Sequence, residues 1–370
     1  MKKLGFGMMR LPLLNPEDDG SVDLKQTEQM VDRFLEQGFT YFDTAWMYCG
    51  GKSEETVGKV LVSRHPRDSF TLTTKMPAYM LKKAEDRERI FQEQLRRTGA
   101  GYFDYYWLHA LNHERVEVME RIDGWGFIAR KRDEGKIRHI GFSFHDEAAL
   151  LAQILDKHPE AEFVQLQINY LDWDSPAIES RTCYELCEKH GKPVIVMEPV
   201  KGGTLAHVPE AIERLFKDYN PDASNASWAI RYCASLPNVY VVLSGMSNIE
   251  QMDDNTSYME DFQPLNDEEQ GIIARATEVI RESIAIPCTA CHYCTDGCPM
   301  QIAIPVYFNL YNTQQQFPEL KNNSKLYYDL LAKSHGKASD CVECGQCEAQ
   351  CPQHISIIDN LKSVVEAFEQ

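Results

Sequence analysis

Between residues 24 and 284 the chain alternates, at roughly thirty-residue intervals, between segments of helical periodicity and short apolar runs of strand character. Few folds satisfy such a pattern, because consecutive strands separated by helices must run parallel, with the helices covering the sheet. In the first cycle Asp23 and Gln26 form a capping pair. A helix with Met30, Val31, Phe34 and Leu35 follows, Gly38 closes it, and the apolar run 39–44 comes next. A helix from Ser53 leads to strand 69–76, helix 84–98 to strand 102–110, and helix 114–134 to strand 137–143. Helix 146–157 leads to strand 163–169 and helix 177–190 to strand 193–199. Helices near 209–217 and 224–235 precede strand 239–245, and helices near 248–256 and 267–284 follow it. Seven clear strands with a plausible eighth fit a (β/α)8 barrel. An open doubly wound sheet competes, but no GxGxxG follows the first strand.

Beyond Pro287 the alternation stops, which divides the chain into a barrel over 1–280 and a second domain over 281–370. Eight of the twelve cysteines lie there in two runs of one spacing. Cys288, Cys291, Cys294 and Cys298 precede Pro299; Cys341, Cys344, Cys347 and Cys351 precede Pro352. The spacing C-x2-C-x2-C-x3-C-P is that of two-cluster ferredoxins, in which the fourth cysteine of each run serves the other cluster. Two [4Fe-4S] clusters are therefore expected, one on Cys288, Cys291, Cys294 and Cys351, the other on Cys341, Cys344, Cys347 and Cys298. Zinc and disulfides fail on spacing and on compartment. The spacer between the runs is longer than in a compact ferredoxin. Its apolar pairs Val306/Leu310, Leu326/Leu330 and Tyr327/Leu331 have helical spacing and resemble the helical type of ferredoxin domain. His292 and His354 sit beside ligands as neighbouring or surface groups, and Ile358, Leu361, Val365 and Phe368 form one face of a last helix.

A net charge of −18 excludes a nucleic-acid footprint or an anionic membrane surface, both of which need clustered Lys and Arg. No apolar run reaches the length of a membrane span. The start MKKLGFGMMRLPLL imitates a secretory leader, but Arg10 and Pro12 interrupt it and no small-residue cleavage site follows. With no secretory leader and with its cysteines clustered, the chain is expected in a reducing cytoplasm.

In a parallel barrel the chemistry sits at the C-terminal ends of the strands. Asp43 ends the first strand recognised here, Lys75 the second and His109 the third, with Tyr48 in the loop after the first. Singly each has a structural explanation: a turn cap, a solvated lysine, a satisfied core histidine. Together they make a coherent acid. A phenol with a pKa of about 10 donates weakly at neutral pH, but an adjacent ammonium stabilises the phenolate. Lys75 supplies the ammonium, Asp43 fixes it, and His109 orients a substrate oxygen.

The segment GFTYFDTAWMY followed by SEETVG, with GKIRHIGFSFH, VQLQINY, EPVKGGTL and SGMSNIEQMDDN in that order, resembles the aldo/keto reductase family over about residues 1–280. Asp43, Tyr48, Lys75 and His109 match that family's catalytic tetrad. The resemblance implies that Ser143 and Gln165 hold a nicotinamide carboxamide and that Met197 faces the ring. Ser244, Gly245 and Ser247 would form the phosphate loop, and Gln251, Asp254 and Asn255 would contact the adenosine end. The chain departs from the family at Phe144, where an asparagine is usual, and at Met197, where an aromatic usually stacks. The adenosine segment also lacks the basic pair used for a 2′-phosphate, so NADP(H) follows family habit and NAD(H) is possible. Cys49 reads as a small filler.

The expectation is a nicotinamide-dependent oxidoreductase that interconverts a small-molecule carbonyl and an alcohol, with Tyr48 as general acid/base and two clusters for electron transfer or for docking a redox partner protein. The alternatives are a nicotinamide-binding redox sensor or electron-transfer subunit, or a barrel enzyme that uses cluster electrons for elimination or radical chemistry. Trp46, Met76, Tyr79 and Leu111 are expected to line the substrate pocket. Oligomeric state is not encoded in any feature of the sequence.

Overall fold

Eight parallel strands close into a barrel in strict chain order: β1 (Leu4–Gly7), β2 (Tyr41–Asp43), β3 (Thr71–Met76), β4 (Phe103–Leu111), β5 (Ile137–Phe144), β6 (Phe163–Gln167), β7 (Val194–Met197) and β8 (Val239–Ser244). The computed structural model describes residues 2–175, 178–295, 297–316 and 321–369. The eighth strand is β1, which pairs with β2 on one side and β8 on the other. Four residues with two glycines are too short for a periodicity, which is why only seven strands stand out in the sequence. Asp43, Lys75 and His109 therefore belong to the second, third and fourth strands of the barrel.

Alternation along each strand sends every second side chain inward. Tyr41, Tyr105, Trp107, Ile195, Val241 and Leu243 form one buried cluster. Gly5 makes room for it, since a Cβ there would lie 2.8 Å from both Leu243 and Val241. Thr73 Oγ1 donates to Tyr41 Oη at 2.8 Å within the same interior. The plug is the packed core typical of such barrels, and it leaves the inward positions one step further along β2, β3 and β4 for polar groups.

Around the barrel the expected helix Leu24–Glu36 is capped by Asp23, whose Oδ1 accepts from Gln26 N at 3.0 Å, and Gly38 follows at φ 79. The single helix expected over 114–134 is two, His113–Arg121 and Gly124–Asp133. Asp123 takes the left-handed conformation (φ 53) between them, a break that an Asp tolerates better than most residues. The start expected at 177 lies outside the described residues, and the helix is seen over Ser180–Lys189.

The chain folds as two compact units that interleave in sequence. One comprises Met1–Asp174, Glu179–Pro199 and Ala226–Asn266; the other comprises Val200–Asn225 and Asp267–Gln370, with Ser175–Ile178. The second is helical, with Glu210–Tyr219, Asp267–Ser283, Ile304–Gln316, Lys321–Leu331 and Ile357–Phe368 among its elements. Its core joins Tyr307, Phe308, Tyr328, Leu361, Val364 and Phe368, with Tyr328 stacked on Phe368 at 5.1 Å. The last helix buries Ile357, Leu361, Val364 and Phe368 rather than the face through Ile358 and Val365. On Lys321–Leu331 the buried aromatic is Tyr328, while Leu326, Tyr327 and Leu330 are 58%, 59% and 48% exposed. Helical spacing was right for that segment, but it could not tell the inner face from the outer. Among the described residues no helix is long and apolar enough to cross a membrane.

Candidate active site

Asp43, Tyr48, Lys75 and His109 come together at the C-terminal end of the barrel. The Lys75 ammonium bonds the Asp43 carboxylate directly and donates to Thr44 O at 2.9 Å. Lys75 Nζ lies 4.8 Å from the centroid of the Tyr48 ring, and that ring meets His109 edge-on at 6.0 Å and 81°. Lys75 is fully buried, and Asp43 and His109 are buried. Burial raises the carboxyl of Asp43, against the attraction of Lys75 and a hydrogen bond from Gln165. It lowers the ammonium of Lys75, against the opposing pull of Asp43. Each charge is the main compensation for burying the other.

His109 owes its placement to an irregularity. The register between β4 and β5 shifts between Leu108 and Leu111, and Ala110 takes φ 53. The Ala110 N–H donates to Ser143 Oγ at 2.7 Å, so a residue expected at the cofactor also pins the bulge beside His109. Burial holds His109 well below the usual imidazole range, helped by Lys75, Arg115 and His145. It is therefore neutral across physiological pH. Because the unfolded chain takes up a proton below pH 6.5 that folded His109 refuses, stability contributed here falls as pH drops through that value. Replacing His109 by Gln should flatten the loss of stability between pH 6.5 and 5, by at most about 1.36 kcal/mol per pH unit, in urea denaturation at the two pH values. An equal pH slope in both proteins would refute the assignment.

The loop that carries Tyr48 is fastened to the end of β1. Ser53 Oγ donates to Met8 O at 2.8 Å and shares a 2.7 Å hydrogen bond with Thr44 Oγ1. Cys49 sits left-handed (φ 53), with its thiol 3.5 Å from the carbonyls of Met8 and Met9 and pushed up by burial to about 11. It is a buried filler with little thiolate character.

On the rim, Ser143 and Gln165 are register partners across β5 and β6, and Gln167 and Met197 across β6 and β7. Gln165 is buried, with its Oε1 unpartnered within the chain, as is His109 Nδ1. Ser244 Oγ accepts from Asn255 Nδ2 at 2.7 Å, and Asn255 Oδ1 accepts from Tyr258 Oη at 2.7 Å, so Asn255 braces the end of β8 from within. Ser247 N donates to Gln251 Oε1 at 2.7 Å and Ser247 Oγ to Arg10 O at 2.8 Å. Asp254 lies on the same helix, Ile249–Met259, partly buried. Of the expected pocket residues, Met76 and Leu111 are fully buried and offer a substrate no surface. They belong to the barrel wall. Trp46 is half-buried under the Arg97 guanidinium, 3.7 Å from its ring centroid, and Tyr79 is 45% exposed.

The cysteines fall into two quartets that mix the runs. The sulfurs acting on Cys294 are those of Cys291, Cys288 and Cys351. Those acting on Cys347 are Cys341 and Cys298, and one cavity is lined by Cys298, Cys341, Cys344 and Cys347. Among the described residues no three His, Cys, Asp or Glu side chains converge on the position of one ion. His292 and His354 are exposed.

Residues 3–278 match the family described as "Aldo/keto reductase family". The chain belongs to the aldo/keto reductase family. Residues 287–356 of this aldo/keto reductase match a "4Fe-4S dicluster domain". Among similar proteins, "Uncharacterized oxidoreductase YqkF" of Bacillus subtilis is 25% identical over 287 residues, covering 69% of this chain and 86% of its own. Among solved structures, aldo-keto reductase AKR11C1 from Bacillus halodurans (holo form) aligns with a TM-score of 0.58 at 25% identity, over 74% of this chain and 91% of that one. An aldo-keto reductase from Klebsiella pneumoniae in complex with NADPH gives 0.56 at 23%, over 74% and 90%.

Two residues of this aldo/keto reductase were passed over in the sequence. Arg10, there an interruption in an apolar run, has its side-chain carbons 3.4–3.5 Å from where a Gly245 Cβ would stand, and its guanidinium is 3.9 Å from Glu198. It sets a cation beside the Ser244–Ser247 loop. Glu54, there only a helix start, is fully buried behind Lys75 and accepts from Thr74 Oγ1 and Gln94 Nε2, both at 2.7 Å. Gln94 also donates to Lys75 O at 2.9 Å. Neither has a local signal, because a charged residue in a loop or first turn looks the same whether solvated or buried.

Proposed function

We propose that this protein interconverts a carbonyl compound and its alcohol, with a nicotinamide partner and Tyr48 as general acid/base. The convergence of Tyr48, Lys75, Asp43 and His109 at one barrel mouth carries the reading. The buried, unpartnered Gln165 Oε1 and the neighbouring Ser143 fit a carboxamide, and Met197 would lie against the ring. The loop Ser244–Ser247, with Arg10 beside it, fits a phosphate, and Gln251, Asp254 and Asn255 would flank the adenosine. When bound, the nicotinamide supplies the hydride. Tyr48 delivers a proton to the substrate oxygen in the reductive direction and takes one up in the oxidative. Lys75 stabilises its phenolate, Asp43 holds Lys75, and neutral His109 donates a ring N–H to the same oxygen. We assign NADP(H), after the Klebsiella relative solved with NADPH. The purified protein should consume NADPH with simple aldehydes, and NADH serves as the comparison. No consumption with any carbonyl, and no alcohol oxidation in reverse, would sink the reading.

For the clusters we assign Cys288, Cys291, Cys294 and Cys351 to one and Cys298, Cys341, Cys344 and Cys347 to the other. Such clusters move single electrons, for which a one-electron carrier protein is the fitting partner. Replacing Cys294 and Cys351 together by Ala should halve bound iron, from about eight to about four per chain, whereas replacing Cys294 and Cys298 together should damage both clusters. Iron analysis and visible absorption read the difference. The opposite pattern would mean that each run holds its own cluster.

A further inference from the structure

Lys75 has a second buried carboxylate close by. Asp43 meets its ammonium inside the barrel, whereas Glu54, on the helix Ser53–Val57, lies on the other side of β3 and is as fully buried as Lys75 itself. Neighbouring side chains on a strand point to opposite faces, so Thr74 points outward where Lys75 points in. Thr74 Oγ1 donates to Glu54 Oε1 at 2.7 Å, Gln94 Nε2 donates to the same oxygen at 2.7 Å, and the Arg97 guanidinium reaches Oε2 at 3.4 Å. All three donate, the pattern of an ionised carboxyl, which can only accept. Gln94 and Arg97 come from one helix, Glu85–Thr98. Gln94 also donates to Lys75 O at 2.9 Å and accepts from Tyr106 Oη at 2.5 Å, so its amide orientation is settled by partners on both sides. Arg97 pairs with Glu93 as well, at 3.0 Å, and lies over the Trp46 ring. Lys75 is thus faced by Asp43 on β2, Tyr48 in the loop after it and His109 on β4, with Glu54 and Arg97 behind β3. Burial lowers the Lys75 ammonium, and Glu54 joins Asp43 in opposing that shift. Burial also raises the Glu54 carboxyl, against Thr74, Gln94 and Arg97.

We infer that Glu54 is a positioning residue for proton transfer, a second counter-charge that, with Asp43 and through Gln94, holds the charged Lys75 in place beside the Tyr48 ring. This rests on the assignment of Tyr48 as general acid/base made above. The test is the pH profile of single-turnover carbonyl reduction by the full holoprotein, with NADPH and a simple aldehyde, comparing wild type with Glu54→Gln, Thr74→Val and Tyr48→Phe. Gln keeps the size of Glu and removes the charge. Without that charge both Lys75 and Tyr48 give up a proton more readily, so the alkaline limb should move to lower pH, whereas removing Lys75 itself would move it up. Thr74→Val takes a hydrogen bond from the same carboxylate and leaves its charge, so it should lower stability in urea denaturation and leave the limb in place. An unmoved limb in Glu54→Gln, a limb moved up, or an equal downward shift in Thr74→Val would overturn the proposal. If Glu54→Gln does not fold, Arg97→Gln decides. Loss of the cation beside Glu54 should move the limb to higher pH, and an unmoved or lowered limb overturns the proposal. A Tyr48→Phe protein with wild-type turnover would refute the proton-transfer assignment and the proposal with it, whereas an inactive Tyr48→Phe beside an unmoved limb in Glu54→Gln would refute the proposal alone.

Discussion

Tyr48→Phe should lower kcat for carbonyl reduction by about 10²–10⁴-fold, the usual loss when a positioned proton donor is removed. Phenylalanine keeps the ring, so the 4.8 Å approach of Lys75 Nζ to its face and the edge contact with His109 remain available. Only the hydroxyl goes. Nicotinamide affinity, read by fluorescence titration, should stay within a few-fold of wild type, because no residue assigned to the cofactor is altered. A loss confined to kcat is the signature of an interaction made in the transition state. Unchanged turnover would remove Tyr48 from the mechanism, and a loss in KM alone would make it a binding residue.

Lys75→Met should cost stability as well as activity. The side chain is fully buried against Asp43, so its removal strands a carboxylate in the barrel interior, at a cost of about 3–5 kcal/mol for such a broken pair. The double variant Lys75→Met/Asp43→Asn should recover most of that stability in urea denaturation, since neutral groups of similar volume leave no charge to compensate. It should not recover turnover. In whatever activity survives, the alkaline limb of the pH–rate profile should move up toward the ordinary phenol value of about 10, because the cation that favoured the phenolate is gone. A Lys75→Met protein as stable as wild type would mean that the pair is not a coupled charge pair.

The tetrad was legible because strand periodicity and strand-end polarity are both local signals: an apolar run that closes on Asp, Lys or His reads directly. The dicluster domain was legible because the spacing within each cysteine run is a local signal. What escaped depends on contacts distant in sequence. β1 is four residues long and is identified by its neighbours β2 and β8 rather than by its own pattern. The bulge that aims His109 costs the sequence a single residue, Ala110, and its anchor Ser143 lies on the next strand. Glu54 and Arg10 became meaningful only once Gln94 and the loop after β8 were seen beside them. Met76 and Leu111 failed as pocket residues for a related reason, since apolarity near a strand end suits a wall as well as a binding surface.

Residues 200–225 leave the ribosome long before most of what they pack with. The helix Glu210–Tyr219 buries Ile212 and Phe216 in the second unit, against a helix that begins at Asp267, and Lys201 waits for Gln353, whose Oε1 accepts from its Nζ. At about 5–20 residues per second, the interval before Gln353 emerges is on the order of ten seconds. During that time the connection between β7 and β8 has no settled surroundings. Its final shape is fixed only when the last cysteine run has been made, well after every strand of the barrel is complete.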